Sequence, residues 1–344
     1  MSRTLQPLVS VIVVNWNGRE YLGECLDSLG RQTFPDFEVI VVDNGSTDGS
    51  VEFMESQFPG FACILRNAEN RGFSGGNNQG IKAASGQYIA LLNNDAQADP
   101  DWLQELVKAA RADPRAGMLA SKIYLQGRPR IIDNVGHLIF RDGLNRGRGR
   151  LEEDHGQFNA KEEVLFPSGC AALYRREMLE EIGLFDEDFF AYGDDTDIGL
   201  KGRLAGWKCL YIPQAVVYHR YSQSSGSYSP LKAFYVERNR VWIAVKYFPL
   251  SLLLKSPFYT CWRFLLQGYG ALTGRGAAGK FGQEYSRWQL LRILVKAYIS
   301  AIQGLPKMWK KRKEMKSLTR VDKEEILSWF ERFGISAREI SLKE

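Results

Sequence analysis

The sequence predicts an α/β fold, a mixed and mainly parallel sheet flanked by helices, followed by a helical, basic C-terminal extension. Three observations carry this prediction. Val9-Ser10-Val11-Ile12-Val13-Val14, Phe37-Glu38-Val39-Ile40-Val41-Val42 and Tyr88-Ile89-Ala90-Leu91-Leu92 are nearly continuous apolar runs, the pattern of strands buried on both faces. Leu22, Cys25, Leu26 and Leu29 recur at helical spacing between the first two runs, as in a βα unit. Each run also stops at polar turn formers: Asn15-Trp16-Asn17-Gly18, Asp43-Asn44-Gly45-Ser46 and Asn93-Asn94-Asp95. Ligands of open α/β sheets bind at that carboxyl edge.

Taken in order, the second run delivers Asp43, which suits either an Asx turn or a carboxylate accepting a hydrogen bond from a nucleobase N–H. The loops at Asp43 and Asp95 are expected to be neighbours. A short apolar segment, residues 61–65, precedes a glycine-rich stretch, 66–81, which lacks both the terminal Gly-Lys-Ser/Thr of a P-loop and the G-x-G-x-x-G spacing of a dinucleotide fold. Its glycines are expected to let a helix starting near Ser74 approach a nucleotide, with Arg71 and Asn77 facing phosphate or ribose. Pro100 and Trp102 open another helix, with Asp99 as its cap. Residues 113–166 are less regular, and 143–150 suit a surface loop able to order over a ligand. Apolar character returns at 166–174, a helix is expected over 177–182, and a strand over 208–212 leads to Val216-Val217-Tyr218-His219.

The segment 185–200 places Asp194, Asp195 and Asp197 within four residues, among aromatic side chains. Such carboxylates repel one another unless a cation or a shifted protonation state relieves them. They fit either a solvated acidic loop or a general base at the start of a helix. His219 fits either a packed imidazole or a ligand.

Hydrophobic residues at 44% and charged residues at 25% are ordinary for a soluble globular chain, and 344 residues suffice for one large domain with an appendage. A boundary is expected near 230. Residues 1–230 carry 23 Lys and Arg against 31 Asp and Glu, a balance of −8, whereas 231–344 carry 22 against 9, a balance of +13. This division suits a metal-using enzyme that leans on an anionic surface. Five scattered cysteines without CxxC spacing suit a reducing compartment, and the short polar stretch 1–8 does not read as a leader, so cytoplasmic residence is expected.

Four signals fall in order: Val-Ser-Val-Ile-Val-Val-Asn-Trp-Asn-Gly, Val-Val-Asp-Asn-Gly-Ser-Thr-Asp-Gly-Ser, Asn-Arg-Gly-Phe-Ser-Gly-Gly-Asn-Asn, and the acidic block before Gly206-Trp207. Together they resemble the inverting family 2 glycosyltransferases of the Rossmann-like GT-A fold, within them the rhamnosyltransferase-like branch. The resemblance runs from about Val9 to His219 and continues weakly through 235–240. It implies that Asn15 and Asp43 hold the nucleobase, that Arg71 and Asn77 contact ribose or diphosphate, and that Asn93-Asn94-Asp95 stands at the DxD motif. Asp95 and His219 would then ligate Mg²⁺ or Mn²⁺, and Asp195 would be the general base. Ser168, Gly169, Asp194 and Asp197 would face the acceptor. Two departures stand out: Asn93 and Asn94 are neutral, leaving a metal to draw on the nucleotide's oxygens, and Asp194-Asp195 replaces Glu-Asp. The resemblance implies a dTDP-sugar donor, or a UDP-sugar donor as in related chains, and a saccharide or polyprenyl-diphosphate-linked acceptor.

The region after Pro230 is expected to be helical over 231–248 and strongly apolar over 249–266, where Lys255 and Arg263 interrupt any bilayer-spanning run. A buried helical hairpin competes with a segment lying in the headgroup layer. Trp288, Leu291, Val295, Tyr298 and Ile302 near helical spacing, followed by the basic stretch 307–316, favour peripheral attachment to an anionic inner leaflet. No zinc, helix-turn-helix or ribonucleoprotein signature accompanies the basic tail, so nucleic acid is not expected as a partner. Residues 321–344 are expected to form one or two short amphipathic helices.

Overall fold

The computed structural model describes residues 6–220 and 229–343. The first strands and helices alternate: β1 Val9–Asn15, α1 Arg19–Gly30, β2 Phe37–Asp43, α2 Ser50–Gln57, β3 Cys63–Arg66, α3 Gly72–Ala83 and β4 Tyr88–Leu92. There follow β5 Ala96–Ala98, α4 Trp102–Ala112, β6 Ala116–Leu125, β7 Arg128–Asn134, β8 His137–Ile139, β9 Asn145–Gly147, β10 Glu162–Val164 and β11 Ala171–Arg175. The central body closes with α5 Arg176–Ile182, α6 Asp194–Leu204 and β12 Lys208–His219. Beyond it lie α7 Pro230–Tyr247, α8 Leu250–Leu253, α9 Ser256–Thr273, α10 Gly276–Glu284, α11 Arg287–Met315, α12 Lys323–Arg332 and α13 Ala337–Leu342.

The main sheet has the order β10-β12-β6-β11-β4-β1-β2-β3. β3, β2, β1 and β4 are mutually parallel, β6 and β12 are parallel to each other, and β11 runs antiparallel between β4 and β6, so the mixed sheet is mostly parallel in strand direction. Its faces are covered by two apolar cores, one gathering Val11, Leu26 and Trp102, the other Ile12, Ile89 and Tyr174. β1 is short in polar atoms because both faces are buried.

Three expectations change. Two of the α3 glycines serve helix–sheet packing: a Cβ at Gly76 or Gly80 would lie 2.7 Å from Val14 or 2.6 Å from Ile12, so glycine lets α3 sit this close to β1, whereas Gly72 lies against Phe190 instead. The residue capping α4 is Asp101, and Asp99 instead accepts the Asp101 N–H. The irregular region 113–166 contains β6, a ten-residue strand in the middle of the sheet, together with β7–β10. The masking feature is its polar content, since Ser121 and Lys122 are buried on partners from elsewhere, Trp102 Nε1 at 2.8 Å and Asp154 at 2.8 Å.

The C-terminal helices share a third core with the sheet-bearing body, through Phe166, Phe189 and Leu200 on one side and Trp242, Phe248, Met308 and Phe330 on the other. The apolar stretch 249–266 is neither a hairpin buried on all sides nor a membrane crossing. It forms α8 and most of α9, and among the described residues no helix is long and apolar enough to cross a membrane. Along α9 and its approach, Leu254, Phe258, Trp262, Leu265, Tyr269 and Leu272 make one exposed stripe, and Trp288, Leu291, Val295, Ile299 and Ile302 make another on α11.

Candidate active site

Strand ends build the site. Asn15, at the tip of β1, donates to Asp43 Oδ1 at 3.0 Å, and Asn94 Nδ2 donates to Asn15 Oδ1 at 2.8 Å, so the loops after β2 and β4 are joined across the end of β1. Asp43 Oδ2 accepts from the Ser46 N–H at 2.9 Å, which is the Asx-turn arrangement. Both carboxylate oxygens of Asp43 are engaged, although each retains a lone pair.

Asp95 and His219 meet on the opposite side of the same edge, where β12 runs beside β5. His219 Nε2 lies 3.3 Å from Asp95 Oδ1, and its Nδ1 is 2.7 Å from Asp133 Oδ2. Asp133 comes from β7 and also pairs with Arg150 at 2.9 Å. Burial pulls the His219 imidazole down, but the Cys170 thiol and the hydrogen bonds to Asp133 and Asp95 outweigh it and hold it well above its ordinary value. Burial pushes Asp133 up, and His219 more than compensates, so its carboxyl lies below the usual range.

Once His219 gives up its Nε2 proton, this donor set fits a single divalent cation held by two protein groups. A His whose second nitrogen is fixed by a carboxylate is the usual support for a metal-ligating imidazole. No group of three or more His, Cys, Asp or Glu side chains able to hold an ion occurs among the described residues. The remaining coordination positions would fall to diphosphate and water oxygens.

Asp194 and Asp195 begin α6, just after a loop held in an unusual shape: Phe190, Tyr192 and Gly193 have φ of 64°, 63° and 89°. Left-handed conformations at two aromatic residues are costly and persist only when the surroundings impose them. Asn239 of α7 does so by donating to the carbonyls of Phe189 at 3.1 Å, Ala191 at 2.9 Å and Tyr192. Arg238 adds bonds to the carbonyls of Asp188 at 2.9 Å and Phe189 at 3.0 Å, and the Phe190 ring stacks on Tyr235. The C-terminal helices therefore shape the acidic loop.

Burial, with the Asp195 charge beside it, pushes the Asp194 carboxyl well above the usual carboxylate range. Asp195 Oδ1 accepts the Thr196 N–H at 2.7 Å, and its Oδ2 lies 3.7 Å from His137 Nε2. His137 is stacked on Phe166, and burial pulls its imidazole below its ordinary value despite the pull of Asp195 and Asp133.

These groups open onto one cleft of 1110 Å³. Asn93, Asn94, Asp95, Ser168, Gly169, Asp194, Asp195 and His219 all line it, with His137, Asp133 and residues 143–147, where β9 stands in place of the expected surface loop. Asn15, Asp43, Arg71, Asn77 and Asp197 do not line it. Arg71 lies 3.5 Å from Glu187, and Asn77 donates to the Phe73 carbonyl one turn back in α3 at 2.9 Å, which turns its amide from the expected ribose or phosphate. Asp197 is a correction: it is wholly buried, holds Lys246 and accepts the Tyr247 hydroxyl at 2.6 Å, and so ties α6 to α7 beyond an acceptor's reach. Asp133, His137 and Asn239 were not singled out from the sequence. A single Asp on β7 and a single His on the three-residue β8 carry no local signal, and Asn239 lies inside a helix.

Known proteins agree with this architecture. Residues 10–183 match the glycosyl transferase family 2 model. Uncharacterized protein y4gI of Sinorhizobium fredii is 31% identical over 233 residues, spanning 64% of this chain but only 25% of that one. The N-acetylglucosaminyl-diphospho-decaprenol L-rhamnosyltransferase of Mycobacterium tuberculosis is 28% identical over 241 residues, 64% of this chain and 78% of that one. Among solved structures, the Pyrobaculum calidifontis mannosyltransferase PcManGT in complex with GDP-Man and Mn²⁺ superposes with a TM-score of 0.54 at 20% identity, covering 90% of this chain and 89% of that one. The sequence match across half the chain and the GT-A architecture together make this protein a glycosyltransferase belonging to glycosyl transferase family 2.

Proposed function

We propose that the chain is an inverting, metal-dependent transferase that takes L-rhamnose from dTDP-rhamnose and passes it to a saccharide acceptor on a polyprenyl diphosphate, in cell-surface polysaccharide synthesis. A UDP-linked galactose, glucose or N-acetylhexosamine is the alternative donor. The observation that carries this reading is one cleft lined by both the Asp95–His219 pair and the adjacent carboxylates Asp194 and Asp195. The name of the Mycobacterium tuberculosis relative supports the sugar and the lipid carrier.

In this reaction Asp195 takes the proton from the acceptor hydroxyl as that oxygen attacks the anomeric carbon from the face opposite the leaving group. The bond from that carbon to the diphosphate oxygen breaks, its electron pair stays on the diphosphate, and configuration inverts in one displacement. Mg²⁺ or Mn²⁺, when bound at Asp95 and His219, supplies Lewis-acid stabilisation of the charge growing on the diphosphate. Asp194, whose carboxyl burial and the neighbouring Asp195 push upward, faces the acceptor with Ser168 and Gly169. Asn15 and Asp43 fix the loop around the base, and Asn93 and Asn94 present amides to the nucleotide. The exposed stripes on α9 and α11 and the +13 balance of 231–344 support peripheral attachment to an anionic inner leaflet.

A thermal-shift screen of dTDP, UDP and GDP, each with Mn²⁺, Mg²⁺ or EDTA, tests this reading. Stabilisation by dTDP or UDP that EDTA removes is expected. A protein indifferent to all three nucleotides would overturn it.

A further inference from the structure

The cleft does not end at the carboxylates. It continues between the C-terminal helices, where Val236, Phe264, Phe281, Ile293, Leu294 and Ile340 line it, each only partly buried because each faces the opening. Its 1110 Å³ exceeds the roughly 300–1,000 Å³ of ordinary small-ligand sites, which leaves room beyond a nucleotide sugar. α9 is apolar on two faces: Phe264 turns into the cleft while Phe258, Trp262 and Leu265 are exposed outward. α11 repeats this, with Ile293 and Leu294 inward and Leu291 and Val295 outward.

Gly268, an exposed residue, marks an open point on the wall of this arm. It sits inside α9, where glycine is unfavourable, it lines the cleft, and a Cβ built there meets nothing within 4 Å. Beneath this arm the helices are fixed rigidly: Arg263, wholly buried, bonds Asp142 at 2.7 Å and both oxygens of Glu237 at 2.8 and 2.9 Å. Cations also line the cleft beside its carboxylates, among them Arg146, which donates to the Lys343 carbonyl at 2.8 Å, Arg150, which pairs with Asp133 at 2.9 Å, and Lys232, and these are the groups of the lining that could meet an anionic linkage.

We infer that this apolar arm between α7, α9, α10 and α11 is the binding channel for the isoprenyl chain of a lipid-diphosphate acceptor, leading from the membrane-facing stripes to the carboxylate that deprotonates the sugar. The inference rests on the transferase reading above and adds the place where the hydrocarbon lies. The chain leaves the bilayer beside α9 and α11 and enters the arm, and the diphosphate meets the lining cations.

The test uses the full-length protein and geranyl, farnesyl and geranylgeranyl diphosphate as probes of equal headgroup, below their micelle concentrations. Affinity is expected to rise by about tenfold or more for each added isoprene unit, as burial of hydrocarbon requires. Gly268→Trp, which fills open space and favours the helix, is expected to remove that length dependence while leaving the thermal midpoint and metal-dependent nucleotide stabilisation unchanged; Ala278→Trp is the second filling variant. Leu265→Glu, on the outer face, is expected to keep the length dependence. Affinity independent of chain length, or length dependence that survives in both filled variants, overturns the channel. Loss of nucleotide stabilisation in the unmodified protein would instead overturn the transferase reading and is measured separately.

Discussion

Asp133 Oδ2 stands 2.7 Å from Nδ1 of His219, and this bond turns the other imidazole nitrogen toward Asp95. Asp133→Asn leaves the volume intact but removes the charge that orients His219. The Mn²⁺ affinity of the nucleotide-saturated protein is expected to fall about 10- to 100-fold, the usual effect of losing such a support. A Mn²⁺ titration followed by electron paramagnetic resonance reads it directly; unchanged affinity would remove His219 from the metal site.

Asp195→Asn keeps the shape of the loop and deletes the base. Turnover is expected to drop by about 10² to 10⁴. Nucleotide stabilisation is expected to survive, so parallel loss of binding and activity would assign Asp195 a structural role.

Asn239→Ala removes the donor shared by three carbonyls of the 189–192 loop. Buried carbonyls left without partners cost about 1–3 kcal/mol, to be read by denaturant unfolding. Because the loop carries Phe190 and Tyr192 at positive φ, its relaxation displaces Asp195, and kcat is expected to fall more than nucleotide affinity. A variant with wild-type kcat would show that the loop keeps its shape alone.

Acid should unfold this protein through specific carboxylates. Burial pushes Glu237 up, but the Arg240 and Arg263 guanidiniums overcompensate and hold it at about 2; Asp186 is likewise held at about 2, where Lys246 and Lys311 outweigh burial. Both lie below their unfolded values of roughly 4, so their stabilisation is complete above about pH 4.5 and is lost as pH falls toward 2. Each contributes on the order of 2 kcal/mol. Urea unfolding should therefore show stability falling steeply below about pH 4.5, beneath the range in which His137, His219 and Asp194 depart from their ordinary values; stability that does not fall between about pH 4.5 and 2.5 would rule these two carboxylates out.

Phe258→Glu and Leu265→Glu alter only exposed positions, so folding stability should change by less than about 0.5 kcal/mol. Each full aromatic or aliphatic burial is worth about 1.5–3 kcal/mol. Sedimentation with anionic liposomes is expected to show binding weakened about tenfold or more per substitution. Equal binding by variant and wild type would place the membrane contact elsewhere.

The sequence by itself determined the first half of the sheet, the helices between its strands and the residues at its carboxyl edge. The runs 9–14, 37–42 and 88–92 are buried on both faces, and continuous hydrophobicity is a local property. Asn15, Asp43, Asn94, Asp95 and Asp195 stand where those runs and the acidic block end, so their places follow from chain order. What tertiary structure decided was which polar groups meet. β6 conceals buried Ser121 and Lys122 that only distant partners satisfy, Asp133 reaches His219 from 86 residues away, and Asn239 reaches the acidic loop from 47 to 50 residues away. Asp197 and Asp195 are alike in sequence and differ in fate because successive helical positions face different sides, one toward α7 and one toward the cleft. The apolar stretch after Pro249 was legible as apolar, but whether it faced core, cleft or solvent depended on helices packed against it, and such pairing is set by contacts that no local window of sequence contains.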